Sequence, residues 1–249
     1  MKPMKPFVTV LNILVLLTTF AHAQSDANTI INTIIDNQRG GQSGRFTVTM
    51  TVFKPDKESS FTMTSVSDGN DRSLIQVIAP PRDAGQAFLT IDNNLWLYNP
   101  RLKRSLRLPP SGRSDSFLGS DISYNDLAGR DLQTDYTAAV ASETAETITL
   151  ELTPKELAPT PYGKIVITAD AQSYAPLEQV YFDQRDQAVR RISFANFVDV
   201  DGAAFPTHIE VENLLREGER TVVDFSDYAF GIEVPESCFS QEALESGCQ

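Results

Sequence analysis

About a dozen short segments in which apolar residues alternate with polar ones, parted by turn residues only a few positions long, constrain this chain more than any other feature. The clearest is Arg45–Phe53, where Phe46, Val48, Met50 and Val52 alternate with Thr47, Thr49 and Thr51. That is a period of two, with β-branched residues on both faces. Similar runs occupy 59–67, 73–79, 86–92, 95–99, 103–108, 147–153, 163–169, 177–183, 188–198, 205–215 and 220–228. Turn signals separate many of them, among them Lys54-Pro55-Asp56, Asp92-Asn93-Asn94, Asp201-Gly202 and Glu217-Gly218. Short connections join antiparallel neighbours, because parallel pairing needs a crossover of a dozen or more residues. The expectation is a mainly β (α+β) chain built on a meandering antiparallel sheet of about 11 strands.

A sheet that wide must curl or close. One helix is available to cover it: Ala27, Ile30, Ile31, Ile34 and Ile35 recur at helical spacing between a capping Ser25 and a stopping Gly40-Gly41. The spacing therefore predicts a curled sheet with an N-terminal helix across its mouth, enclosing an apolar cavity. The long interruption Pro109–Asp131 is the source of a second cover. Within it a short lid helix is expected over Asp121–Ala128, capped by Ser120, and the lid residues are Phe117, Leu118, Ile122, Tyr124 and Leu127.

The N-terminus reads as an address. Lys2 and Lys5 precede the apolar run Phe7–Phe20, which is too short to span a bilayer and ends in Ala21-His22-Ala23. A cleavable signal peptide over 1–23 is expected, leaving 24–249 as a single soluble domain on the far side of a membrane. Position 24 is Gln, not the cysteine that acylation requires. Loss of the two signal lysines moves the net charge from −12 to −14, a surface that repels nucleic acid and bulk anionic membrane. In an oxidising compartment Cys238 and Cys248 are expected to form a disulfide that pins the C-terminus.

Catalytic patterns are sparse. After cleavage the one histidine is His208, within the strand run 205–215, and no G-x-S-x-G surrounds any serine. One histidine and two terminal cysteines do not make a zinc ligand set, and no phosphate-binding glycine loop is present. Asp115, Asp121 and Asp126 crowd one stretch, but their spacing departs from an EF-hand loop, and caps, turns and a solvated loop account for them. No cofactor, metal or catalytic residue is expected. Against this acidic background Arg101, Lys103, Arg104, Arg107 and Arg113 fall in a stretch without an acid. They read either as a contact for an acidic partner or lipid head group, or as charges that keep a sheet edge from pairing.

Three pieces carry a resemblance: Gly85–Pro100 with its Trp96-x-Tyr98-x-Pro100, then Lys103-Arg104-Ser-Leu-Arg107, then Asp115-Ser-Phe117-Leu-Gly119-Ser120-Asp121-Ile-Ser-Tyr124-Asn-Asp126-Leu127. Together they resemble the outer-membrane lipoprotein-sorting family, the LolA-like proteins, in an uncharacterised branch. The resemblance implies a half-open, strongly curled half-barrel with a helical lid, holding lipid or lipoprotein acyl chains and moving them from an inner-membrane exporter toward an outer-membrane acceptor. It implies a monomeric, non-enzymatic carrier in the periplasm and an arginine near the sheet mouth that holds the lid, for which Arg45 and Arg104 are the candidates weighed. The cavity lining is expected from Phe46, Val48, Met50, Phe61, Met63, Leu89, Ile91, Trp96 and Tyr98, and the partner or head-group contact from Arg101, Lys103, Arg104 and Arg107. The competing readings are a periplasmic protein-interaction or sensor module of an export system with the same fold and, below it, a hydrolase.

Overall fold

In the computed structural model, which describes residues 26–127, 132–158 and 160–248, the alternating segments form one sheet of 13 strands. The strands are β1 (Gly44–Lys54), β2 (Lys57–Ser67), β3 (Arg72–Ala79), β4 (Ala87–Ile91), β5 (Asn94–Asn99), β6 (Arg104–Arg107), β7 (Tyr136–Glu143), β8 (Thr147–Pro154), β9 (Lys164–Asp170), β10 (Pro176–Phe182), β11 (Ala188–Val200), β12 (Ala203–Asn213) and β13 (Arg220–Phe230). Every neighbouring pair is antiparallel. β1 and β13 pair at the centre, and two meanders run outward from them, one to β6 and the other to β7. Those two edges do not pair, so the sheet stays open.

Two-residue turns fall where the sequence placed them. Lys54 faces Lys57, Ile91 faces Asn94 and Val200 faces Ala203. Asp201 and Gly202 both adopt positive φ, 50° and 89°, as the tight hairpin requires. The count is 13 rather than about 11 chiefly because β7 gives almost no sequence signal. Its middle is Ala138-Ala-Val-Ala141, and as an edge strand it leaves most of its residues exposed. Such a strand needs little apolar alternation.

Three covers lie on this sheet. Helix α1 (Ala27–Arg39) buries Ile30, Ile31 and Ile34 against β8–β12, each worth about 1.5–3 kcal/mol of apolar burial. Asp26 caps it by accepting from the Asn28 amide, while the expected cap Ser25, like the signal segment 1–23, lies outside the described residues. At its end Gly40 has φ 77°, and a Cβ there would lie 2.5 Å from the Phe230 ring. Buried Asn37 ties the helix down from both ends of its amide, donating to the Ser173 carbonyl at 2.9 Å and accepting from the Ala204 amide at 2.8 Å.

The second cover is the connection between the two edges. It makes a 3₁₀ turn at Phe117–Gly119 and a short helix α2 (Tyr124–Leu127), then a further helical turn α3 (Leu132–Asp135). The lid helix begins later than expected, because Ser123 and Asp126 form its N-terminal box: the Ser123 amide donates to Asp126 Oδ2 at 2.7 Å and the Asp126 amide to Ser123 Oγ at 3.3 Å. Ser120 instead closes the preceding turn, its hydroxyl donating to the Phe117 carbonyl at 2.7 Å. The expected helix end at Ala128 lies outside the described residues.

The third cover is the C-terminal tail, on the other face of the sheet. Cys238, Phe239, Ala243 and Leu244 pack on Val66, Leu74, Ala87, Leu89 and Tyr98. Cys238 and Cys248 form a disulfide there. Arg72 fastens the tail further, bonding to Asp68 and Glu236 and lying 4.7 Å over the Phe239 ring.

Candidate ligand cleft and its latch

With covers on both faces, β4 is buried on both sides, from Ala87 through Thr90. On the lid side Phe88 meets Phe117 edge to face at 4.8 Å, and both lie near Tyr124. Phe46, Val48, Met50, Phe61 and Met63 belong to the same packed cluster as Phe88, Leu95 and Phe117, and Leu118, Ile122, Tyr124 and Leu127 press on it. Leu89, Ile91, Trp96 and Tyr98 point to the opposite face, against the tail. Alternation decides this split: Phe88 and Leu95 turn inward, so Leu89 and Trp96 turn outward.

Open space lies elsewhere. A cleft of about 500 Å³ opens between α1, the lid and β9–β12, within the usual range of about 300–1,000 Å³ for small-molecule sites. Ile35, Ile122, Leu132, Tyr162, Ile165, Ile192, Phe194, Ile209 and Val211 supply its apolar walls. None of the nine positions expected from sequence to line a cavity touches it; of the expected lid residues, Ile122 does. A second, more polar cleft of about 390 Å³ adjoins it, and Ser114, Ile122, Ser123, Tyr162 and Arg190 border both.

Arg190 stands between the two clefts. It is nearly buried on β11, opposite Tyr181 of β10, and its two terminal nitrogens donate to Asp126 of α2, each at 3.0 Å. Its guanidinium lies 5.2 Å from the Tyr181 ring centre. Burial alone would favour loss of its proton, but the carboxylate of Asp126 holds it above the ordinary arginine range, so it stays charged. Tyr181 is buried, and burial pushes its phenol well above the ordinary value. Its hydroxyl donates to Gln179 Oε1 at 2.8 Å.

A second tie holds the lid further along. Lys54 of β1 pairs with Asp121 at 3.0 Å and with Glu219 at 2.8 Å. Burial lowers the Lys54 pKa and these two carboxylates raise it, with a net upward shift. Buried Thr221 of β13 completes the anchor: the Asp121 amide donates to its hydroxyl, which donates in turn to Asp121 Oδ2, both at 2.9 Å. Asp121 and Asp126, read from sequence as solvated loop acids, are thus the points at which the sheet grips the lid.

Arg45 is exposed on β1 and Arg104 on edge strand β6, and among the described residues neither forms an ion pair with the lid. Arg190 was missed, although the signal existed: it shares the inward face of β11 with Ile192 and Phe194. A charge in an apolar register marks a partner across the interior. Arg101, Lys103, Arg104 and Arg107 are all exposed along the β5–β6 turn and β6, beside exposed Leu102 and Leu106. Arg101 donates to the Arg82 carbonyl at 2.8 Å, and Arg107 lies over Trp96 at 5.8 Å and bonds Asn94. His208 pairs with Asp224 at 2.7 Å and borders neither cleft. Among the described residues no group of three or more His, Cys, Asp or Glu side chains is placed to hold a metal, and no helix is long and apolar enough to cross a membrane.

The open antiparallel sheet is similar in fold to solved structures of the LolA superfamily. Solved structures with this fold include a LolA superfamily protein of Nitrosomonas europaea (22% identity, TM-score 0.72, 87% of this chain and 98% of that one). They also include a domain described as an outer membrane lipoprotein-sorting protein of Vibrio parahaemolyticus (23%, 0.74, 87% and 97%) and a DUF1329 family protein of Desulfovibrio piger (24%, 0.76, 88% and 100%). Residues 69–246 match the model of a family described as "uncharacterized protein", and the chain belongs to that family. No curated protein matches its sequence.

Proposed function

We propose that this protein is a periplasmic, non-enzymatic carrier that holds the acyl chain of a lipid or lipoprotein in the cleft under α1 and the lid, and moves it toward the outer membrane. The observation that carries the reading is an apolar cleft beneath a cover that packs on β1–β5 through Phe117 and, toward the cleft, is tied by the ion pairs Arg190–Asp126 and Lys54–Asp121. Each methylene removed from water is worth about 0.8 kcal/mol, so a cleft of this kind holds a chain firmly. Release then requires the cover to move. The Arg190–Asp126 and Lys54–Asp121 pairs suit that task, because a polar or charged surface on an exporter or acceptor can compete for them, whereas buried apolar packing offers no such handle. The fold shared with the lipoprotein-sorting domain supports the same reading.

The exposed β6 edge favours a second reading, a protein-docking module of an export system. Four cations and two leucines stand outward there on an acidic protein. Native mass spectrometry of the protein purified from its own periplasm separates the two readings. A carrier emerges with acyl-bearing molecules bound one per chain, and a docking module emerges without them.

A further inference from the structure

Three residues that line the larger cleft carry a buried donor with no acceptor among the described residues: Gln38 on α1, and Gln179 and Arg190 on the sheet wall. Gln179 is 3% exposed and Arg190 9%, and the Nε2 of the first and the Nε of the second are unpartnered. They lie close together: Tyr181 faces Arg190 and Gln179 faces Ile192 across β10 and β11, so the two donors sit diagonally on one patch of the cleft wall. Their remaining polar atoms are committed. Tyr181 donates to Gln179 Oε1, and Asp126 takes both terminal nitrogens of Arg190. Buried donors are nearly always satisfied, and two open ones on neighbouring side chains that line the same cleft mark a place where a ligand supplies the acceptor.

The surroundings define that acceptor. Ile35, Ile165 and Ile192 make the nearby wall apolar, while Asp126 and Asp135 also border the cleft. Asp126 already takes both terminal nitrogens of Arg190, so a ligand carboxylate beside Nε would compete with Asp126 for the same guanidinium. A neutral carbonyl brings no competing charge. Resting on the carrier reading above, we infer that the cleft recognises an esterified or amide-linked acyl chain by its carbonyl oxygen, which accepts from Gln179 Nε2 and Arg190 Nε while the chain runs along the apolar wall.

The test is displacement of the apolar fluorophore 1-aminoanthracene from the purified protein at pH 8 by methyl decanoate, by its carbonyl-free analogue decyl methyl ether and by sodium decanoate. The ester is expected to displace at about 10-fold lower concentration than either of the others, since a site built to hydrogen-bond a group rejects analogues lacking it. In the double variant Q179L/Y181F, which removes the Gln179 donor together with the hydroxyl that bonds it and leaves Arg190 in place, the ester's advantage is expected to shrink while the ether holds its wild-type value. Equal displacement by ester and ether in the wild type overturns the inference and leaves the carrier reading standing, and so does a preference for decanoate, which would assign the site to free fatty acids. If the double variant loses its far-UV circular dichroism, the wild-type comparison of ester with ether decides alone. Failure of all three compounds to displace the fluorophore, or of the fluorophore to bind, removes the carrier reading and the inference with it.

Discussion

The two halves of the sheet use the same alternation to different ends. On β1–β5 the inward residues Phe46, Met50, Phe88 and Leu95 meet the lid's Phe117 and leave no cleft, while the outward residues Leu89 and Tyr98 are sealed by the tail. On β9–β12 the inward residues Ile165, Ile192 and Phe194 share a core with α1 and also line the cleft beside it, and Gln179, Tyr181 and Arg190 interrupt them. The first half is solid, and the second encloses a cleft. Aromatic density marks the solid half, and isolated polar residues in an inward register mark the hollow one.

The largest test of this contrast is Phe88→Ala, which removes a ring that is 1% exposed and leaves Phe117 without its partner. It should cost about 3–5 kcal/mol in urea unfolding. A cost below about 1 kcal/mol would mean that the β1–β5 half is not solid.

Next comes the tail. Replacing Cys238 and Cys248 together with serine opens a short loop and should cost about 2–3 kcal/mol. Hydrogen exchange should rise in 234–248 and along the outward face of β4 and β5, with the α1 amides unchanged. A rise spread evenly over both halves would deny that the tail serves only one of them.

The latch follows. Arg190→Met leaves Asp126 unpaired but about one-third exposed and able to take up water, so the loss is discounted from a fully buried pair to about 1–3 kcal/mol. Exchange of the 117–127 amides should quicken about tenfold, whereas Arg45→Met and Arg104→Met should leave it unchanged. Equal effects from all three would return the latch to an unspecific charge effect.

A smaller effect separates the tail from the cleft by pH. Burial raises the Asp68 carboxyl, but bonds from Arg72 and the Asn70 and Arg72 amides pull it lower, for a net downward shift; the Arg72 bond likewise lowers Glu236. Carboxyls depressed in the folded state stabilise it above their unfolded values, near 4, and that contribution fades as pH falls through the folded values. The wild type should therefore lose more melting temperature between pH 6 and pH 3 than Arg72→Met does, and parallel curves would dismiss the tie. The smallest signal belongs to Trp96, the single tryptophan, which lies on the tail face. Its emission should ignore a ligand in the cleft and shift when the tail is released.

Much of this fold could be read before any coordinates. The antiparallel meander, the N-terminal helix, the hairpin turns at Asp92-Asn93 and Asp201-Gly202 and the covering role of 109–127 all follow from local patterns. β7 escaped because an edge strand of small residues needs no alternation. The site was harder for a different reason. Alternation reports that a face is covered, and it cannot distinguish a cover of protein from a cleft, so Phe46 and Ile192 look alike in sequence. Which of Leu89 and Phe88 faces the lid depends on register against strands far away in the chain. Arg190 and Gln179 were visible as polar residues within apolar registers, but their partners Asp126 and Tyr181 became apparent only once β10, β11 and the lid were brought together.

The central claim is that the hollow half holds an acyl chain. It is tested most directly by isolating the protein from its own periplasm, as wild type and as Ile192→Trp, which fills the cleft from its wall, and weighing both by native mass spectrometry with lipid extraction. The account predicts one acyl-bearing molecule per wild-type chain and its loss from the folded variant. A wild type that emerges empty, or a variant that retains the same load, would contradict it.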